Sequence, residues 1–313
     1  MTVLTVDMLR QAHEQGQALQ GTLAGGDYRG ADLAGYRFER LDARGARFDG
    51  ANLSQTSWHG CRLDAAHYEA CVLDQANFEA CLGSAVSFAA ARLAYATFQD
   101  CQWRDAVFDK ADLTRLAASN SGFAGCRLNS AVLKEAQLDQ CDLSDLDLHG
   151  VAWEKVLLTG CILNQANLAG AALTLCTFSH TQAHGIDFSG ARAPSTLFRH
   201  SVLESARFQN ADLQGAAFDA ARLDHADFSQ AKLNMSSFVE AQSVALNFSR
   251  AQLVDADLSH LSAAHADFSG ADLTGARLHA VELPDALWRD AILTNTRNTD
   301  PVLHEAELWR PPI

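Results

Sequence analysis

Residues 266–275 read ADFSGADLTG, a stretch that contains one five-residue pattern twice: Ala-Asp, then Phe or Leu, then a polar residue and Gly. The pattern extends in both directions without an insertion or deletion, for example through residues 31–33 and 211–213. Of the 55 positions spaced by five from Leu23 to Leu293, 48 are Leu, Phe, Tyr or Trp, and they include all 16 phenylalanines. The chain is therefore one repeat over nearly its whole length.

A period of five matches neither regular secondary structure. In an α-helix, successive centre residues would be rotated by about 140° from one another, so they would scatter around the helix. The period instead predicts a backbone that turns a corner every five residues. Two side chains of each repeat must then point inward. The residue two positions before the large centre residue is mostly small, and the other three positions are polar or Gly.

The repeat resembles the pentapeptide-repeat family, and the resemblance covers roughly residues 21–310. It implies an all-β fold, a right-handed quadrilateral parallel β-helix with four pentapeptides in each coil. It also implies that the centre residue and the small residue two positions before it face the interior, while the other three face solvent. We expect about 14 coils over residues 21–297, after a short N-terminal capping helix within residues 1–20. Residues 298–313 are expected to form an irregular C-terminal coil or cap.

A four-sided coil predicts that residues 20 apart stack on the same face. Two alternate columns of centre residues are rich in aromatic side chains, and Phe208 and Phe228 belong to one of them. The other two columns are mainly Leu. In one column Gly83 comes directly before Trp103. We expect the absent side chain at Gly83 to make room for the large indole.

Both ends of the chain depart from the repeat. Near the N-terminus, apolar residues with helical spacing predict a cap that starts after Thr5 and stops at Gly21. These apolar residues are Val6, Leu9, Ala12 and Leu19. Near the C-terminus, Pro301, Pro311 and Pro312 argue against a continued ladder, and Trp309 is expected to help close the last coil.

The eight cysteines all occupy the small inward position, two residues before a centre. In neighbouring coils their Cβ atoms would lie ~4.8 Å apart, beyond the roughly 3.5–4.5 Å of a disulfide. No C-x-x-C spacing indicates zinc. We therefore expect reduced cysteines that fill the core.

The sequence indicates no catalytic constellation, so we expect a protein that is not an enzyme and has neither a cofactor nor a metal site. The histidines of the repeat occupy outward positions, and the stacked pair His180 and His200 has no evident third ligand. No phosphate-binding G-x-x-x-x-G-K-[ST] motif is present. A coil filled by its own side chains also leaves no concave pocket.

Composition restricts the class of partner. A net charge of -14 and a pI near 5.2 argue against direct binding of nucleic acid. The chain lacks a run of about 18 apolar residues, so no membrane span is expected. Residues 1–20 have neither the basic start nor the apolar core of a signal peptide, which predicts a cytoplasmic protein.

Much of the negative charge follows from the repeat, because Asp beside the centre residue is a favoured turn former. Two groups exceed this background and are candidates for an interaction surface. The first lies within a single coil and contains Glu135, Asp139, Asp142, Asp145 and Asp147. The second belongs to the acidic stretch 255–313 and contains Asp255, Asp257, Asp267 and Asp272.

Outward apolar residues form a second candidate surface. Val132 is expected on the same face as Ala152 and Ala172, Leu157 and Leu197 on another face, and Ile162 and Val202 on a third. Apolar residues in columns mark protein contacts, whereas scattered ones are normal surface. The sequence leaves both interpretations open.

The expected function is that of a non-catalytic scaffold or adaptor that binds another protein through the faces of the coil. The short helical lead and first repeats also resemble arrays associated with bacterial type VI secretion, which implies an accessory factor with a secretion component as partner. The alternative is a DNA mimic that binds DNA gyrase or topoisomerase and protects it from toxins or quinolones, as some family members do. Arginines at many outward positions dilute the negative field that mimicry requires. An open coil end further suggests a homodimer.

Overall fold

The computed structural model describes residues 2–309, which form two compact units that divide between Ile162 and Leu163. Each unit is a stack of four-sided coils, and together they contain about 13 turns. The predicted all-β fold, a quadrilateral parallel β-helix with a short N-terminal helix, is confirmed. Among the described residues, no helix combines the length and apolar character needed to cross a membrane.

Most strands contain only three residues, because each side of a coil is one pentapeptide long. The first unit contains α1 (Val6–Glu14), β1 (Arg37–Glu39), β2 (Ser57–His59), β3 (Asn77–Glu79), β4 (Leu82–Ser84), β5 (Thr97–Gln99), β6 (Gln102–Arg104), β7 (Ala117–Ser119), β8 (Leu133–Lys134), β9 (Gln137–Asp139), β10 (Ala152–Glu154) and β11 (Leu157–Thr159). The second unit contains β12 (Ala172–Thr174), β13 (Gln242–Val244), β14 (Ser262–Ala264), β15 (Arg277–Leu278), β16 (Arg297–Asn298) and α2 (Pro301–Leu308).

The strands pair in parallel, and paired residues are 20 positions apart, as Phe38 and Trp58 are. In the first unit one sheet has the order β1-β2-β3-β5-β7-β9-β11, while β4 pairs with β6 and β8 with β10. In the second unit β13 pairs with β14 and β15 with β16. Single bridges such as Asp187 to Arg207 continue the same register. The predicted stacking of residues 20 apart is therefore confirmed.

Backbone hydrogen bonds hold each side of a coil to its neighbours, and the corner N–H contributes one of them, as Asn210 does to the Ser229 carbonyl at 3.1 Å. The N–H of a centre residue donates to the next coil, as Phe208 does to the Asp227 carbonyl at 2.7 Å. The N–H of the residue before a centre donates to the previous coil, as Asp227 does to the Ala206 carbonyl at 3.0 Å. Each corner has a positive φ, which is 67° at Gly215 and 59° at Asn210. Glycine adopts this conformation freely, and the hydrogen bonds on both sides hold other residue types in it.

The interior contains the centre residues and the small residues two positions before them. Ala211 and Leu213 are completely buried, whereas Asp212 between them is half-buried. The eight cysteines are free and buried, as predicted. The Cys81 thiol lies 3.4 Å from the Trp58 carbonyl oxygen, so it satisfies a backbone group while filling space.

Aromatic columns on opposite sides meet in the middle of the coil. In the second unit Phe208 stacks on Phe228 at 4.6 Å and contacts Phe218 edge to face at 5.6 Å. In the first unit Phe48 stacks on Tyr68 at 5.0 Å and contacts Trp58 edge to face at 5.5 Å. Stacking along a column and edge contacts across the coil are both favoured geometries for aromatic rings.

The N-terminal cap is shorter than the sequence suggests. Thr5 is the N-cap of α1, and its Oγ1 accepts the N–H of Met8 at 3.3 Å. The helix buries Leu9 and ends before Gly16, whose φ is 60°. The predicted stop at Gly21 is therefore wrong, because Gly16 already supplies the left-handed residue that ends a helix.

Part of the segment 298–313, which was predicted to be an irregular coil or cap, is helical, because α2 occupies Pro301–Leu308. The Asp300 carboxylate caps this helix by accepting the N–H of Val302 at 2.9 Å. Pro301 occupies the first helical position, where the missing N–H leaves no hydrogen bond unmade.

The predicted closure of the last coil by Trp309 is also wrong. This side chain is 68% exposed, since α2 ends just before it. Pro311 and Pro312 lie outside the described residues.

Candidate interaction surface

The five acidic residues of the first unit do not share a face. They are distributed around one coil: Glu135 follows β8, Asp139 ends β9, and Asp142, Asp145 and Asp147 lie on the two sides that follow. The proximity of these residues in sequence therefore does not produce one concentrated negative surface.

Glu135 is also paired with cations. Its carboxylate lies 2.7 Å from Arg115 Nε and 3.6 Å from Lys155 Nζ. The hydrogen bond from Arg115 lowers the pKa of Glu135. The local charge at this corner is balanced by the two cations.

Two other acids of this group support turns. The Asp142 carboxylate accepts the Ser144 hydroxyl at 2.6 Å, and the Asp147 carboxylate accepts the His149 N–H at 3.2 Å. Such contacts are those of an aspartate that stabilises its own turn.

Most of the candidate acids of the second unit also support turns. Asp257, Asp267 and Asp272 each accept the N–H two residues further on, at 3.0, 2.8 and 3.0 Å. Asp257 also lies 3.3 Å from a guanidinium nitrogen of Arg277. Asp255 is exposed at a corner with φ 56°. Three of these four aspartates therefore stabilise their own turns, which explains their presence without a binding role.

The outward apolar residues are separated by polar or small neighbours. In the first unit Val132 and Leu157 are exposed, and the half-buried Ile162 bridges to Asp142. In the second unit Leu197 and Val202 are half-buried. Leu197 forms β-bridges with Thr177 and Ala217, and Val202 forms them with Gln182 and Arg222.

One groove of the first unit brings residues from both candidate sets together. Val132 and Asp147 line a surface depression of about 440 Å³, along with His149 and Gly150. The groove combines apolar side chains with one carboxylate, a mixture that protein–protein contacts also show.

The second unit has an exposed apolar coil end. The sequence predicts an open coil end but does not indicate which residues form it. Leu293 is a centre residue of the last coil of the described ladder, and it is 45% exposed. One coil earlier the N–H groups of Phe268 and Leu273 each donate to the next coil at 2.8 Å. Among the described residues, the equivalent N–H groups of Trp288 and Leu293 have no backbone acceptor.

Comparison with known families identifies the repeat. A family model described as a pentapeptide repeat region matches residues 51–129, 96–173 and 211–288, and a model for eight copies of the pentapeptide repeat matches residues 22–55. The chain belongs to the pentapeptide-repeat family. Membership of this family accounts for the period of five and the four-sided coil.

Two solved pentapeptide-repeat structures illustrate the likeness. HetL from the cyanobacterium Nostoc, which is involved in the regulation of heterocyst differentiation, is 19% identical over 93% of this chain and 96% of its own, with a TM-score of 0.20. Trypsin-treated QnrB1, a plasmid-mediated fluoroquinolone resistance protein, is 20% identical over 74% of this chain and 99% of its own, with a TM-score of 0.33. No curated protein matches the chain. These values are too low to transfer a function.

Proposed function

We propose that this pentapeptide-repeat protein is a non-catalytic scaffold that binds other proteins, and that the last coil of its second unit joins two copies of the chain. The observation that carries the proposal is the open coil end, where Leu293 is 45% exposed and the N–H groups of Trp288 and Leu293 have no backbone acceptor among the described residues.

An open end of this kind favours association. Unpaired backbone groups on a strand edge pair readily with another edge, and burial of apolar side chains adds to the free energy of association. A second copy is the occupant that we propose, because its own last coil has the same four-sided outline. A two-fold axis would place the Leu293 side chains of both copies in one interface.

The remaining surface suits a scaffold. Each coil is filled by its own side chains, while the outward residues contribute charged pairs, turns and single apolar contacts. The groove lined by Val132 and Asp147 is the candidate contact for a different protein. The choice of a secretion component as that protein is supported by the sequence resemblance alone.

The DNA-mimic alternative has less support. The net charge of -14 favours it. However, Glu135 and Asp257 are paired with basic side chains, and the acids of residues 135–147 are spread around their coil. A mimic of duplex DNA needs regularly spaced negative charge along one surface.

Sedimentation velocity tests the association. We expect the wild-type chain to sediment as a dimer and the Leu293→Glu variant as a monomer, because two carboxylates would face each other in the interface. Leu175→Glu is the matched control, since Leu175 is 55% exposed at a corner of the same unit, away from the coil end. This control should remain dimeric, and the thermal unfolding of both variants verifies their fold. A monomeric wild type, or a dimeric Leu293→Glu variant, would overturn the proposal.

A further inference from the structure

Three imidazoles converge on one carboxylate in the second unit. The Glu307 Oε2 atom lies 3.1 Å from His279 Nε2, 3.6 Å from His260 Nε2 and 4.0 Å from His304 Nδ1. The hydrogen bond with His279 lowers the pKa of Glu307, which keeps this carboxyl ionised.

The cluster joins α2 to the side of the coils. His260 is a corner residue with φ 60°, and His279 lies in the next coil just past β15. His304 and Glu307 are three residues apart in α2, so they project from the same side of that helix. The rings of His260 and His279 are 5.3 Å apart, and those of His279 and His304 are 6.1 Å apart.

The third imidazole lies further from the carboxylate. His304 Nδ1 makes no hydrogen bond among the described residues, because its separation of 4.0 Å from Glu307 is too long for one. The His304 side chain is 41% exposed, so it stands at the edge of the cluster, while His260, His279 and Glu307 form its centre.

We propose that His260, His279 and Glu307 form a binding site for Zn²⁺ or a similar divalent transition metal, with a water in the fourth position. Two imidazole nitrogens, a carboxylate oxygen and a water are a common tetrahedral ligand set for this ion. With bonds of about 2.0–2.1 Å, neighbouring ligand atoms lie about 3.3 Å apart. The distances from Glu307 of 3.1 Å to His279 and 3.6 Å to His260 are close to that value, and the ligand atoms of the three residues all lie within 4.8 Å of one another.

The surroundings permit both entry and retention of the ion. A cavity of about 550 Å³, lined by His260, His279 and Glu307 among others, opens beside the cluster. The His279 side chain is only 12% exposed, so at least one ligand is held firmly by its neighbours. Arg277 and Arg297 also line the cavity, and Arg277 is already paired with Asp257.

Metal binding would change the tautomer of His279. In the structure its Nδ1 accepts the Asp300 N–H at 3.2 Å, which places the ring proton on Nε2, next to Glu307. To coordinate through Nε2, the neutral ring would carry its proton on Nδ1 and give up the Asp300 hydrogen bond. A metal held by His279 and Glu307 would then link α2 to the coil in place of that hydrogen bond.

Zinc titration of the full-length metal-free protein, in competition with a chromophoric chelator, tests the site. We expect one Zn²⁺ per wild-type chain, and a loss of affinity of at least about tenfold in both His279→Ala and Glu307→Gln. His67→Ala is the matched control. His67 belongs to another histidine–carboxylate group, with Asp49 and Glu69, in which Arg47 Nε already lies 3.4 Å from Asp49 Oδ2.

Two further measurements separate coordination from folding. Bound Co²⁺ should give the visible absorption of a tetrahedral complex in the wild type and in His67→Ala, but not in His279→Ala. Added Zn²⁺ should raise the Tm of the wild type by more than that of Glu307→Gln at the same zinc concentration. Absence of stoichiometric zinc binding by the wild type would overturn the proposal. Full binding by folded His279→Ala and Glu307→Gln would also overturn it, because the ion would then occupy other histidines.

Discussion

Gly83 and Trp103 occupy paired positions in the ladder between β4 and β6, and the indole uses the space that a side chain on Gly83 would need. A Cβ atom on Gly83 would lie 3.0 Å from Trp103 Cζ3 and 2.5 Å from Val86 Cγ2. The predicted compensation between the two positions is therefore present. It shows that neighbouring coils adjust their side-chain volumes to each other.

Gly83→Ala should therefore destabilise the protein by about 1–3 kcal/mol through overpacking. The measurement is urea unfolding of a double-mutant cycle that combines this change with Trp103→Leu. In the Trp103→Leu background the cost of the alanine should be smaller, because one of its two close contacts has gone. An equal cost in both backgrounds would contradict the packing described for this pair.

Leu213→Asp and Asp212→Ala should differ strongly in stability. Leu213 is completely buried, so a carboxylate there should cost more than about 3 kcal/mol. Asp212 points outward, and its Oδ1 atom has no hydrogen-bond partner among the described residues, so its removal should cost less than about 1 kcal/mol. Urea unfolding measures both. Similar midpoints for the two variants would contradict the assignment of inward and outward positions.

The cysteines should make the fold sensitive to alkali. Burial raises the pKa of Cys71 from 9.0 to about 12. Because the folded state holds this thiol protonated, the contribution of Cys71 to the free energy of unfolding is complete below pH 9. It is lost as the pH rises toward 12. The stability advantage of the wild type over Cys71→Ala, measured by urea unfolding, should therefore shrink between neutral and alkaline pH. A constant difference would show that the thiol is not held protonated by the fold.

An exposed ion pair should lower one carboxyl pKa in the first unit. The Arg44 guanidinium lies 2.6 Å from Asp42 Oδ2 and lowers the pKa of Asp42 from 3.8 to about 2. Any stability from this pair is present above pH 3.8 and disappears as the pH falls toward 2. In Arg44→Gln, an NMR titration should find the pKa of Asp42 raised toward 3.8, while Asp27, which is paired with Arg29, keeps its low pKa. No change at Asp42 would exclude the guanidinium as the cause.

A supercoiling assay separates the scaffold from the DNA-mimic alternative. Because the acidic side chains are paired or spread around the coils, we expect purified protein at micromolar concentration to leave gyrase activity unchanged and to give no protection from a quinolone. Inhibition or protection that is weakened by Asp255→Asn and Asp267→Asn would favour the alternative instead.

The fold was predictable because one signal repeats along almost the whole chain. Each Leu or Phe centre, such as Leu213, carries the same inward assignment, and residues 20 apart confirm it independently. The acidic and apolar candidates were harder to judge from sequence. Whether Glu135 meets Arg115, or Val132 shares a groove with Asp147, depends on which side of the coil each residue occupies.

The C-terminal features could not be predicted for a different reason. Helix α2 is short, begins with Pro301 and buries none of its own residues, so it lacks the apolar spacing that marks a helix in sequence. Because α2 is not evident in the sequence, nothing there indicates that Glu307 and His304 lie beside His260 and His279. The exposure of Leu293 likewise depends on where the ladder stops, which the unbroken phase of the repeat does not indicate.

The claim that this protein acts by binding another protein is tested most directly with purified components. Proteins captured from the source cell would be identified by mass spectrometry, and each candidate would then be purified and titrated against the wild-type chain by calorimetry. We expect at least one candidate to bind saturably with a fixed stoichiometry, and Val132→Glu, in the groove shared with Asp147, to weaken that binding while Leu175→Glu does not. If none of the captured proteins binds the purified chain directly, the scaffold function is contradicted.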